Sequence, residues 1–148
     1  GWYLTAEATM MVDKKQALDI ATKALSIAQK PEICNHYFAL LFNKLICRIY
    51  LSLKDYDSAR IYIDRALTIA RGYDIKYQLA KLYIMSGECQ QKLIDSTQDK
   101  QHCINSALEL YQKALDINKE LENSSLSKTI TQKMSELDIL CKAHGVKI

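Results

Sequence analysis

One pattern is written three times along the chain. From Ala17 it reads ALDIATKALSIA, from Ala59 ARIYIDRALTIA, and from Ala107 ALELYQKALDIN. Each copy opens on Ala, places an apolar residue four positions on, then a basic residue at six, Ala-Leu at seven and eight, and an apolar residue at ten. Steps of three and four residues return to one face of an α-helix. Small side chains on that face let a neighbouring helix approach closely. A chain that rewrites such a face at wide intervals stacks helices into repeats.

The breakers agree. One Pro and four Gly in 148 residues leave little material for β-turns, so an all-α fold is expected. The balance of 49% apolar and 25% charged residues is that of a globular protein with a continuous core. The net charge is +3, with Lys and Arg interleaved among Asp and Glu. A nucleic-acid binder would show a basic stripe, so direct nucleic-acid binding is not expected. Of the nine tyrosines, Tyr50, Tyr83 and Tyr111 fall at expected helix-packing positions, so they read as structural rather than as a stacking surface for nucleic acid. No apolar run is long enough to span a membrane. Cys34, Cys47, Cys89, Cys103 and Cys141 are odd in number and contain no C-x-x-C pair. They read as small buried hydrophobes of an intracellular protein, cytoplasmic or nuclear, with no metal and no cofactor.

Taken in order, the spacing predicts seven helices. The chain opens inside a first helix at Trp2-Tyr3-Leu4, as expected of a fragment of a larger protein. A second helix runs from about Lys15 to Gln29. A third starts at Pro31, suited to a first turn, and runs to Leu53 with Phe38, Leu45, Ile46, Ile49 and Tyr50 on its packing faces. Asp55 or Asp57 caps the fourth, and Gly72 supplies a left-handed stop. Asp74 opens the fifth, which carries Gly87 at a cost of about 1 kcal/mol relative to Ala. The polar stretch Asp95 to Lys100 is an insertion and the first expected site of proteolysis. The sixth helix runs to about Leu121, and Glu122 to Ser125 break it. The seventh, over 124–143, brings Leu126, Ile130, Met134, Leu137 and Cys141 to one face.

The turn Asp55-Tyr56-Asp57-Ser58-Ala59, followed by Ile63 and Ala66 and preceded by Ile46 and Tyr50, resembles the tetratricopeptide repeat. Leu4, Ala8, Ala17, Ala21 and Ala24 fill the same places one unit earlier, and Tyr83, Gly87, Ala107, Tyr111 and Ala114 one unit later. The Ala anchors lie 42 and then 48 residues apart, and Lys54 stands where the family often has Gly. The period is longer than the family's usual ~34 residues. The resemblance implies a right-handed α-α superhelix in a single domain. Its three helix pairs would cover about 2–29, 31–71 and 74–120, with a capping helix after them.

No sequence motif for catalysis is present: neither G-x-S-x-G, nor H-E-x-x-H, nor a Gly-rich phosphate loop. His36, His102 and His144 flank helix ends or the insertion. A non-catalytic module is therefore expected. In this family the first helices of the pairs line a groove for an extended peptide or a partner helix. The resemblance puts Lys44, Arg48 and Lys81 in that groove, with Leu51 and Ile84 beside them. This is similar in part to the family's carboxylate clamp for the acidic tail of a chaperone, although Asn is expected where Arg48 stands and a basic residue where Met85 stands. The implied partner is an acidic or amphipathic segment of another protein. Long-helix repeats of this kind are similar to scaffold subunits of large eukaryotic assemblies. They are also similar to the peptide-sensing domains of bacterial transcription regulators, the alternative reading.

Overall fold

A computed structural model describes residue 6 and residues 13–30 and 35–146. Among them the fold is all-α, with no strand. Its six helices are α1 (Lys14–Ala28), α2 (His36–Ser52), α3 (Tyr56–Gly72), α4 (Lys76–Leu93), α5 (Lys100–Leu121) and α6 (Ser124–Ala143). Backbone contacts group the chain into two compact units, divided between Tyr73 and Asp74. Consecutive helices pack within each unit, consistent with a helical-repeat arrangement. The expected first helix falls outside the described residues except for Ala6, which is helical and fully buried.

In the first unit α2 packs on α1 and on α3. Its core joins Ala17, Ala21 and Ala24 of α1 to Ala39, Phe42, Leu45, Ile46 and Ile49 of α2. The repeated pattern of α3 is buried likewise at Ala59, Ile63 and Ala66. In the second unit α4 packs on α5, and α6 packs on α5 and touches α4. Ala107, Tyr111 and Ala114 supply the third copy of the seam, all fully buried. On α6, Leu126, Ile130, Leu137 and Cys141 are buried, and Met134 is only partly so.

Side-chain caps account for most helix starts. Asp13, Asn35, Asp55, Asp99 and Asn123 each accept backbone N–H bonds from the first turn they precede. Asn35 moves one predicted boundary: it is extended and accepts from Phe38 N at 3.0 Å, so α2 begins at His36. Pro31, the expected start, lies outside the described residues. Phe38 then falls in the exposed first turn and not on a packing face.

Gly72 is also corrected, because it is the last helical residue of α3 and the left-handed residue is Asp74, at φ 50°. Lys54 and Glu122 take the same left-handed conformation, at φ 60° and 51°. Asp55 N donates to Tyr50 O at 3.0 Å, closing the end of α2 around Lys54. At the α5–α6 turn the buried Asn118 bridges both directions, donating to Asn123 O and accepting from Asn123 N. The break is therefore two residues long, and α6 begins at Ser124. Across the open end of the α4–α5 pair, Lys76 is ion-paired with Glu120. That hydrogen bond holds Glu120 below the usual carboxylate range and raises Lys76.

The polar insertion is braced. Ile94 is fully buried, and Ser96 N and Thr97 N both donate to Leu93 O. Lys100 Nζ reaches back to Ile94 O at 2.8 Å and Thr97 O at 3.3 Å, so one ammonium satisfies two loop carbonyls. Lys100→Met is expected to cost about 1 kcal/mol, the scale of a lost hydrogen bond. Faster protease cleavage within 94–99 than in wild type would show it. Unchanged cleavage would mean that the lysine does not brace the turn.

Candidate functional site

The five residues expected to line a groove divide between the two units. In the first, Lys44 lies among the buried residues of α2 at 8% exposure, while Arg48 and Leu51 are partly exposed. Lys44, expected in the groove, is thus corrected to a buried position on α2. In the second, Lys81 is partly exposed, with its Nζ 5.2 Å from the centre of the Tyr77 ring, whereas Ile84 is buried. Arg48 and Leu51 on α2, and Lys81 on α4, are the predicted residues within reach of a partner.

The second unit also holds a polar cluster that sequence spacing did not reveal. The buried Tyr111 hydroxyl donates to Gln91 Oε1 at 2.8 Å. Lys133 of α6 lies 3.4 Å from Glu88 of α4 and 3.5 Å from Glu136. Burial, and then the charges of Glu88 and Glu136, push the Tyr111 phenol well above its ordinary range. Nothing local could have disclosed the Tyr111–Gln91 pairing, because its partners are 20 residues apart on different helices.

The raised phenol has a pH consequence. A group that stays protonated longer in the folded state gives its full stabilisation below its unfolded pKa, about 10 for tyrosine, and loses it as pH rises further. Tyr111→Phe is expected to cost about 0.5–1.5 kcal/mol at neutral pH, through the lost bond to Gln91. The gap between the two proteins should then narrow above about pH 10, where only the wild type carries this penalty. Urea midpoints across the alkaline range would measure it, and a constant gap would contradict the assignment.

Several large apolar side chains are exposed, including Tyr37, Phe38 and Tyr73 in the first unit and Ile139 in the second. Tyr37 and Phe38 are exposed because both fall in the first turn of α2, just after the Asn35 cap. Asn43, fully buried on α2, donates Nδ2 to Ala39 O at 2.8 Å, and its Oδ1 has no hydrogen-bond partner among the described residues.

Among the described residues no three His, Cys, Asp or Glu side chains are grouped to hold a metal ion. No described helix is long and apolar enough to cross a membrane. A depression of about 520 Å³ along α6 is lined by Ser124, Ser127, Lys128, Thr131, Gln132 and Ser135 and is open to solvent. No family model matches the chain, and no curated protein matches it.

Proposed function

We propose that the chain is a non-catalytic protein–protein interaction module, a scaffold or adaptor segment of a larger intracellular assembly related to tetratricopeptide repeats. The observation that carries this reading is the repeated seam. Ala17, Ala21 and Ala24, then Ala59, Ile63 and Ala66, then Ala107, Tyr111 and Ala114 are all buried. Helices stacked through such seams make extended outer surfaces, and these suit the holding of other chains. The proposed partner is an acidic or amphipathic segment of another protein; Arg48 and Leu51 are its proposed contacts on the first unit, and Lys81 is a proposed contact of the same kind on the second unit, taken by itself.

Selection from a displayed library of extended and helical peptides tests this. Enriched sequences are expected to be acidic, and calorimetric affinity should weaken as salt screens exposed charges. Arg48→Glu or Lys81→Glu should weaken binding roughly tenfold, the scale at which charge-assisted hydrogen bonds act. Lys44 is left intact, because its burial would confound binding with folding. Failure to enrich any peptide would overturn the proposal.

A further inference from the structure

The bend between α5 and α6 is built without a helix breaker. From Lys100 to Ala143 the chain contains neither Gly nor Pro. A helix commonly stops on a Gly, which takes the left-handed conformation freely, or just before a Pro. Here Glu122 takes that conformation, at φ 51° and ψ 36°. Glu is a good helix former, and its Cβ makes the left-handed region unfavourable. Two asparagines hold the bend instead. Asn118 Nδ2 donates to Asn123 O at 3.0 Å, Asn118 Oδ1 accepts from Asn123 N at 3.1 Å, and Asn123 Oδ1 accepts from Leu126 N at 3.0 Å. A straight helix through Glu122 would give up these bonds, gain ordinary backbone bonds in their place, and release the left-handed residue.

Beyond the bend, α6 is attached by contacts that need no connection to its own α5. Leu126, Ile130, Leu137 and Cys141 are buried. Lys133 lies 3.4 Å from Glu88 of α4, and His144 Nε2 lies 3.2 Å from Asp95 in the α4–α5 turn. A terminal element on a short, strained hinge is one that two copies of a chain exchange readily. We infer that a second copy of this chain is a partner of the second unit. The bend straightens, α5 and α6 join into one helix, and each α6 docks on α4 and α5 of the other copy. Every contact of α6 except those of the bend is kept, so the hinge decides between the two forms. Self-association of this kind is independent of the acidic-peptide contacts proposed above.

The test uses the whole chain, concentrated at its urea midpoint and returned to buffer, with mass measured by light scattering. A dimer alongside the monomer is expected. Glu122→Gly relieves the bend and weakens the straight helix, so it should lower the dimer-to-monomer ratio roughly tenfold. Asn123→Ala removes the cap and favours a continuous helix, so it should raise the ratio by about the same factor. Circular dichroism checks that both variants fold. Glu88→Lys and Lys133→Glu then identify the exchanged helix, because each alone brings like charges together. When the two variants are mixed, each α6 of a swapped pair meets an opposite charge on the α4 of the other chain. Mixed dimers should therefore form several-fold above random pairing. Monomer alone for both the wild type and Asn123→Ala would overturn the inference. So would a dimer in which the charge variants pair at random, because each chain would then have kept its own α6.

Discussion

Replacing Gly87 with Ala is expected to destabilise the protein by about 1–2 kcal/mol, although helix propensity alone predicts a gain of about 1 kcal/mol. A Cβ at Gly87 would sit 2.4, 2.8 and 2.9 Å from three ring carbons of Tyr111. That ring is fully buried and its hydroxyl is tied to Gln91, so it has little freedom to withdraw. Overpacking of this kind typically costs about 1–3 kcal/mol, which outweighs the propensity term. The urea midpoint should fall accordingly.

A double-mutant cycle isolates the cause. Tyr111→Leu removes the ring and is itself costly, but in its background Gly87→Ala should lose most of its penalty. The coupling should then fall within about 0.5–3 kcal/mol, the range for residues in contact. If Gly87→Ala proved stabilising, the close approach of α4 to α5 at this level would be wrong.

The close approach was legible from sequence in outline, because Gly inside a helix opposite a repeated Ala seam points to near contact. Legible too were the seams themselves and a cap on α3, for which the sequence offers Asp55 or Asp57 and which Asp55 provides. These features depend on residues close in sequence, where side-chain periodicity and capping chemistry act directly. What escaped depends on competition between neighbours or on distant partners. Pro31 is a good helix starter, but four residues later Asn35 supplies an actual capping bond to Phe38 N. Gly72 is suited to a left-handed stop, yet α3 continues through it and Asp74 turns instead.

The candidate site was less legible. Lys44 carries a charge that reads as surface, and its burial at 8% follows from packing around α2 on several sides. The Lys133 contacts with Glu88 and Glu136 join α4 to α6, and no spacing rule reaches across an intervening helix. Ile84, read as lining a groove, belongs to the buried set of α4. Arg48, Leu51 and Lys81 retain the exposure the groove reading requires.

The seam and the turn make opposite demands on side-chain size, which Ala66→Leu and Lys54→Gly separate. Ala66 is fully buried on α3, in the same row as Ala59, Ile63 and Ala70. Leu there adds three carbons to a contact that is already closed, at an expected cost of about 1–3 kcal/mol. Lys54 is exposed and held at φ 60°, where a side chain carries a penalty of about 1 kcal/mol that Gly escapes. Gly also gives the unfolded chain more freedom, which returns about 0.5–1 kcal/mol in the other direction. Lys54→Gly should therefore change stability by no more than about 0.5 kcal/mol, with Asp55 N still donating to Tyr50 O across the turn. Ala66→Leu should lower the urea midpoint clearly under the same conditions. Equal midpoints for the two variants would place α3 in the wrong rotation against α2, and the repeated Ala face would no longer explain how the first unit is packed.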